Sequence, residues 1–358
     1  MKNINIISPI NQLGYGVAGL NIVKSLSKTH NVSLFPIRPT QIVTQEDANV
    51  VQLCVENSKF FDNDAPCIRI WHQNQMAEFA GKGTRIGFPF FELDTFNDLE
   101  KHHLNSLDKL FVTSRWGKNI CEKELSLDPE NIIVVPLGVD VQTYKPSITQ
   151  GYNANTVFFN CGKWEVRKGH DVLFKVFCDT FSENDNVELW MMCSNPFLNE
   201  EQTKEWQNLY KNSSMGHKIK FIERVNTPQE VYNIMNNVDC GVFPSRAEGW
   251  NLELLELMSC GKQVIATNYS AHTEFCNSQN CLLVDIDETE VAFDGMWFHG
   301  DGNWAKIGDK QQEQLSQHMT NIHKQKQENG SVETNINGLI TAQNYNWDMI
   351  GKIIADHV

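Results

Sequence analysis

Apolar residues along the chain follow two rhythms. Short alternating or continuous apolar runs fall at 4–8, 32–37, 67–71, 85–91, 109–113 and 131–135, and again at 156–160, 187–193, 218–223, 239–244, 263–267 and 281–284. Between them, apolar positions recur every three or four residues, as at Leu20, Val23 and Leu26, and over 115–125, 171–181, 200–212, 228–236, 310–327 and 347–357. The first rhythm predicts strands and the second helices, and their regular interleaving predicts an α/β protein built on parallel sheets. Runs 187–193 and 218–223 are expected to be buried strands. Residues 294–306, rich in Gly, Trp and Phe, fit neither rhythm and are expected to form an irregular excursion.

Polar and small residues gather where the runs end, which in an open α/β sheet is the rim that binds ligands. The first run leads through Gly14, Tyr15 and Gly16 into a helical pattern. Glycines there let backbone come close to a phosphate, so Gly14 and Gly16 are candidate binding positions. A dinucleotide site would want an acid after the next strand; Phe35-Pro36-Ile37-Arg38 has none, which disfavours a dehydrogenase. His72 and Glu92 follow the runs at 67–71 and 85–91, and a hydrogen-bonded structural role is as plain a reading of His72 as ligand contact. Lys163, Arg167 and Lys168 cluster after the run at 156–160, a placement that favours anion binding over a merely solvated face. Glu248 lies in the loop after 239–244, and a helix opens near Asn251 with Glu256 one turn in. The first-turn N–H groups of Asn251, Leu252 and Glu253 would face an anion, with Glu256 placed for a ribose and Glu248 for a second polyol. For any single glutamate the plain reading is a solvated helix residue; the combination reads as a nucleotide-sugar site.

Composition narrows the picture. A chain of 358 residues with 41% hydrophobic content can fill two cores. No apolar run approaches a membrane span, and the ten cysteines include no C-x-x-C pair, so a reduced cytoplasmic protein without a bound metal is expected. The formal net charge is −14, with 14 Lys and Arg against 16 Asp and Glu in residues 1–150 and 16 against 28 in 151–358. That balance argues against a broad nucleic-acid face, leaving room only for a local DNA-contacting groove. Asp285 and Asp287 form a D-x-D that reads as surface.

The window from Phe243 to Asn268 resembles the signature of the retaining GT-B glycosyltransferases related to glycogen and sucrose synthases (glycosyltransferase family 4-like, group 1). Its pattern, E-G-(aromatic)-x-L-x-x-L-E and then small-x-G-x-x-V-I-A-T, is matched by Glu248, Gly249, Trp250, Leu252, Leu255, Glu256, Gly261, Val264, Ile265, Ala266 and Thr267. Asn251 stands where that family usually has Gly. Gly162, Lys163, Lys168 and Gly169 fit its G-(Arg or Lys)-x-x-x-x-K-G, and Pro136, Gly138, Val139, Asp140, Tyr144 and Pro146 fit its P-x-G-V-D-x-x-x-(aromatic)-x-P.

The resemblance implies two Rossmann-like domains whose parallel sheets face across a cleft: 1–150 for the acceptor, 151–345 for the donor, and a last helix, 346–358, crossing back. It implies that Lys163 and Lys168 hold the donor diphosphate, that Arg224 and Val225 cradle the base, and that Trp250, Asn251 and Leu252 adjoin the donor. The loop of Gly14 and Gly16 would close near the diphosphate. The family places a His after the strand at 85–91, where this chain has Phe90, Phe91 and Glu92; Glu92 and His72 both stand as candidates for the group nearest the acceptor hydroxyl. The implied activity is retaining, cofactor- and metal-independent transfer from a UDP-, GDP- or ADP-sugar to a glycan, lipid-linked or nucleobase acceptor. The alternatives are a non-catalytic nucleotide-sugar-binding module and a phosphorylase or epimerase. His272 is open between a structural role and substrate contact.

Overall fold

The computed structural model describes residues 1–147 and 153–358. The boundary expected near residue 150 lies outside the described residues. The chain forms two compact units, Met1–Val139 with Asn344–Val358, and Asp140–Gln343.

In the first unit the strands are β1 (Lys2–Ser8), β2 (His30–Pro36), β3 (Cys67–Arg69), β4 (Arg85–Gly87), β5 (Lys109–Val112) and β6 (Ile132–Val134). They pair in parallel in the order β2-β1-β3-β4-β5-β6. Helices α1 (Gly14–Ser27), α2 (Gln45–Asn57), α3 (Asp98–Leu104) and α4 (Arg115–Glu124) connect them. Ile4, Ile6, Val32, Leu34 and Ile68 are buried in the sheet, and α1 buries Ala18, Ile22, Val23 and Leu26. Each of the Ile, Val and Leu side chains contributes roughly 1.5–3 kcal/mol by leaving water.

The Gly-rich segment differs from a free turn, because α1 begins at Gly14 and takes Gly16 into its first turn. A Cβ at Gly16 would meet the Asn11 side chain at 2.3 Å, so close helix packing is what requires glycine there. Strands β3 and β4 are also shorter than their apolar runs, which places His72 and Glu92 in loops beyond the strand ends.

The second unit contains β7 (Thr156–Gly162), α5 (His170–Thr180), β8 (Val187–Cys193), α6 (Glu200–Lys211), β9 (Ile219–Phe221), α7 (Pro228–Asn236), β10 (Cys240–Phe243), α8 (Leu252–Ser259), β11 (Gln263–Asn268), α9 (His272–Phe275) and β12 (Leu282–Asp285). These strands are parallel in the order β12-β11-β10-β7-β8-β9. Its core gathers Phe158, Leu173, Phe177, Leu189, Val242 and Ile265. Strand β9 is an edge strand with Lys220 exposed, so it is less buried than its composition predicts.

The excursion at 294–306 is instead part of an antiparallel hairpin, β13 (Thr289–Phe293) and β14 (His299–Ala305). Ala292 and Trp304 supply its buried face; Gly300 and Gly302 interrupt the alternation that would have revealed it in the sequence. Helices α10 (Asp309–Asn329) and α11 (Ile336–Asn344) follow. The last helix, α12 (Trp347–His357), packs on α1 of the first unit. Among the described residues, no helix is long and apolar enough to cross a membrane.

The strand orders matter for function. Counted from its own first strand, the second unit has the 3-2-1-4-5-6 order read backwards, with a topological switch between β7 and β10. The first unit switches between β1 and β3. Ligands in such sheets bind outside the carboxyl ends of the strands at the switch.

Candidate functional site

The turns after β7 and β10 meet at the switch point of the second unit. Gly169 permits this: its φ is +71°, and a Cβ there would lie 1.9 Å from the Pro244 carbonyl oxygen. The Arg246 N–H donates to the Arg167 carbonyl at 2.7 Å, and Arg167 Nη1 donates to the Ala247 carbonyl at 2.7 Å. Arg246 in turn holds Asp171, in the first turn of α5, through two bonds of 2.9 Å.

Backbone closure brings four of the charged side chains into one buried network. Lys168 Nζ is 2.8 Å from Glu248 Oε1, and Arg167 Nη1 is 3.0 Å from Glu248 Oε2. Arg167 Nη2 reaches Glu165 at 2.8 Å, whose other oxygen is 3.2 Å from the half-exposed Lys163 Nζ. The Ser245 hydroxyl donates to Glu248 Oε1 at 2.7 Å, and the Glu248 N–H donates to Ser270 Oγ at 2.8 Å. Burial alone would raise the Glu248 carboxyl, but Lys168 and Arg167, with His272 behind, hold it well below the ordinary carboxylate range. Burial would lower Lys168, and Glu248 with Glu253 more than reverses that, so its ammonium is firmly charged.

Asn251 caps α8 in the left-handed region, at φ +88° and ψ +79°. This is a glycine-like conformation that Asn tolerates better than most residues. The Asn251 side chain is pinned at both ends: Oδ1 accepts from the Leu254 N–H at 3.1 Å, and Nδ2 lies 2.9 Å from His272 Nε2. His272 is fully buried, with Nδ1 3.1 Å from the Thr267 carbonyl, and burial pulls its pKa down to about 4. A neutral imidazole bracing Asn251 is therefore its role at neutral pH. As at any helix start, the first-turn N–H groups lack intrahelical acceptors.

Glu256 lies one turn into α8 and is partly exposed. Burial pushes its carboxyl well above the usual range, Glu253 and Asp140 push it further, and a hydrogen bond with the Tyr144 side chain opposes them. Trp250 is buried with its ring 4.6 Å from Phe275, so it supports the loop from beneath. Arg224 and Val225 follow edge strand β9, two places from β7, and Arg224 is exposed. Asp285 and Asp287 are exposed, with Asp287 paired to Lys310.

In the first unit a different cluster occupies the switch. Tyr15, just inside α1, stacks on Phe90 at 4.4 Å and 11°, and lies 4.8 Å from the His72 ring and 5.5 Å from Trp71. Its hydroxyl donates to the Phe90 carbonyl at 3.0 Å and accepts from the Phe90 N–H at 2.8 Å. Burial raises the Tyr15 pKa, with the Glu92 charge adding to it. Both His72 and Glu92 therefore border Tyr15, and Gly14 and Gly16 flank it in sequence.

Sequence reasoning missed Tyr15, Glu165 and Arg246 as site-builders. Glu165 carried a signal, an acid set among three cations; the others depend on strand order, which periodicity does not reveal.

Known proteins resemble this chain in sequence and in fold. Residues 155–295 match the family model described as glycosyl transferases group 1. A UDP-Gal:alpha-D-GlcNAc-diphosphoundecaprenol alpha-1,3-galactosyltransferase from Escherichia coli is 27% identical over 186 residues, 49% of this chain and 44% of that enzyme's length. Among solved structures, Anabaena Alr3699/HepE in complex with UDP-glucose superposes with a TM-score of 0.72 at 16% identity, covering 99% of each chain. The sucrose-phosphate synthase of Thermosynechococcus elongatus gives 0.68 at 15% identity, covering 99% of this chain and 98% of that one. The two six-stranded parallel sheets thus give the chain the GT-B fold of these neighbours, and residues 155–295 within it match the glycosyl transferases group 1 model.

Proposed function

We propose that this protein transfers a sugar from a nucleoside-diphosphate sugar, with a uridine diphosphate donor first in line, to an acceptor hydroxyl with retention of anomeric configuration and without a metal. The observation that carries this reading is the joining of Lys168 to Glu248 beside the N-terminus of α8. The uridine preference is supported by the UDP-glucose complex of the Anabaena protein and the UDP-Gal specificity in the name of the Escherichia coli relative.

In this reading Lys168, Lys163 and the first-turn N–H groups of α8 supply fixed positive potential to the departing diphosphate, the most effective form of electrostatic catalysis. An ammonium has three N–H donors, so Lys168 can hold Glu248 and a phosphate oxygen together. Glu248 is a poor base and nucleophile, because two cations and a hydroxyl already engage its oxygens and depress its basicity. With about four acceptor positions on a carboxylate and three of them taken, it retains one for a sugar hydroxyl. The bond from the anomeric carbon to the diphosphate breaks as the acceptor oxygen attacks from the same face, and the acceptor proton passes to the departing phosphate oxygen. Glu256 accepts from the ribose, while His72 and Glu92 border the acceptor.

A thermal-shift screen with UDP, GDP, ADP and their sugars tests the reading, since a ligand at a hundred times its Kd stabilises a fold by about 2.7 kcal/mol. The expected result is a rise in Tm with one nucleotide series, lost in Glu256→Ala, and transfer to an acceptor with that donor. No shift with any of them overturns the proposal.

A further inference from the structure

The β13–β14 hairpin is not used by the transfer chemistry, and its surface is unusual. Val291, Phe293, Met296 and Trp297, together with Phe197 from the loop after β8, are each between 39% and 61% exposed. Phe197 and Trp297 touch, with ring centroids 5.8 Å apart, so the hairpin tip and that loop form one apolar patch.

The display is built. At the tip, the Asp294 carboxylate accepts from the N–H groups of Met296, Trp297 and Phe298 at 2.9, 2.7 and 2.9 Å, which fixes the turn that presents Met296 and Trp297. The acids at its base are neutralised within the unit: Glu288 pairs with Lys306 at 2.8 Å, Glu290 with Arg246 at 3.3 Å, and Asp287 with Lys310. Asp301 remains exposed on β14. Lys163 Nζ sits 5.6 Å from the Phe197 ring, a cation at the edge of the patch.

We propose that this hairpin docks the protein on the surface of a zwitterionic lipid bilayer. Aromatic rings with Met on a hydrogen-bonded tip, above basal acids that are paired with cations, suit the headgroup–acyl boundary. The patch offers on the order of 500 Å², from roughly 150–250 Å² per aromatic ring, short of the roughly 800 Å² per partner of a stable protein interface. The net charge of −14 disfavours an anionic surface. The inference stands apart from the transfer reading and needs no donor or acceptor.

Co-sedimentation of the full chain with phosphatidylcholine vesicles tests it, comparing the wild type with Phe293→Ser/Met296→Ser and with Val291→Ser alone. The wild type is expected to partition onto the vesicles, the double variant about tenfold less or weaker still, and the single variant between them. Replacing a third of the lipid with phosphatidylglycerol at low salt is expected to weaken binding. Circular dichroism and analytical ultracentrifugation of the same samples report folding and assembly. A wild type that stays in the supernatant, a folded double variant that binds as well as the wild type, or a wild-type dimer that the variant dissociates without any vesicle effect overturns the proposal.

Discussion

The two units share an architecture and differ in what they place at the switch. In the first, the rim after β1, β3 and β4 is aromatic: Tyr15 is clamped to the Phe90 backbone and flanked by Trp71 and His72. In the second, the rim after β7 and β10 is ionic, with Lys168 and Arg167 locked on Glu248. One sheet scheme therefore carries two chemistries, and the difference resides in the loops. An ionic rim suits a charged, phosphate-bearing ligand whose position must be fixed before bonds change. An aromatic rim suits a neutral one held by shape.

The contrast breaks most sharply at Lys168. If the ionic rim is the reactive one, Lys168→Ala lowers kcat for the productive UDP sugar by about 10²–10³-fold, as losing one preorganised donor does. Steady-state kinetics that leave kcat unchanged would move the chemistry elsewhere. Next comes Glu248→Gln, which leaves Lys168 buried without its ion-pair partner and Arg167 with Glu165 alone, and is expected to cost about 3–5 kcal/mol in urea unfolding at pH 7. Because the folded-state pKa of Glu248 is depressed, its stabilisation is complete above the unfolded carboxylate pKa and is lost as pH falls through that range toward the folded value. The loss of stability on acidification should therefore be smaller in the Gln variant than in the wild type.

On the aromatic side, Tyr15→Phe removes the partner of the Phe90 N–H and carbonyl and should cost about 1–3 kcal/mol. Its UDP affinity by calorimetry should match the wild type, because the change is confined to the first unit. The smallest effect belongs to Asn251→Gly, which keeps the left-handed backbone while losing the side-chain cap. A few tenths of a kcal/mol is expected, and a loss of several would mean that the His272 brace does more than hold the turn.

Much of this was legible before any coordinates. The two rhythms of apolar residues mark out the parallel sheets, and the spacing of Lys163, Lys168, Glu248 and Glu256 marks the ionic rim, because those residues lie in two short local windows. The family resemblance carried the GT-B fold. What stayed hidden depended on strand order and on contacts distant in sequence. Tyr15 and Phe90 meet only because β1 and β4 lie on either side of β3. Arg167, which the sequence shows only as one cation of a cluster, turns inward because Glu165 and Glu248 both engage it. The hairpin escaped notice because a strand rich in glycine has no readable period.

Gly169 sets a limit on how this protein can diverge. The gap between the lysine turn and the glutamate loop is set by main chain pressed against main chain at Pro244, and the Arg167 and Arg246 side chains bond across it. Residues around the pocket can be exchanged one at a time while that gauge stays constant, as the Lys at 163 and the Asn at 251 already illustrate. An added methyl at 169 would meet the Pro244 carbonyl and push the two turns apart, together with the charged partners they carry.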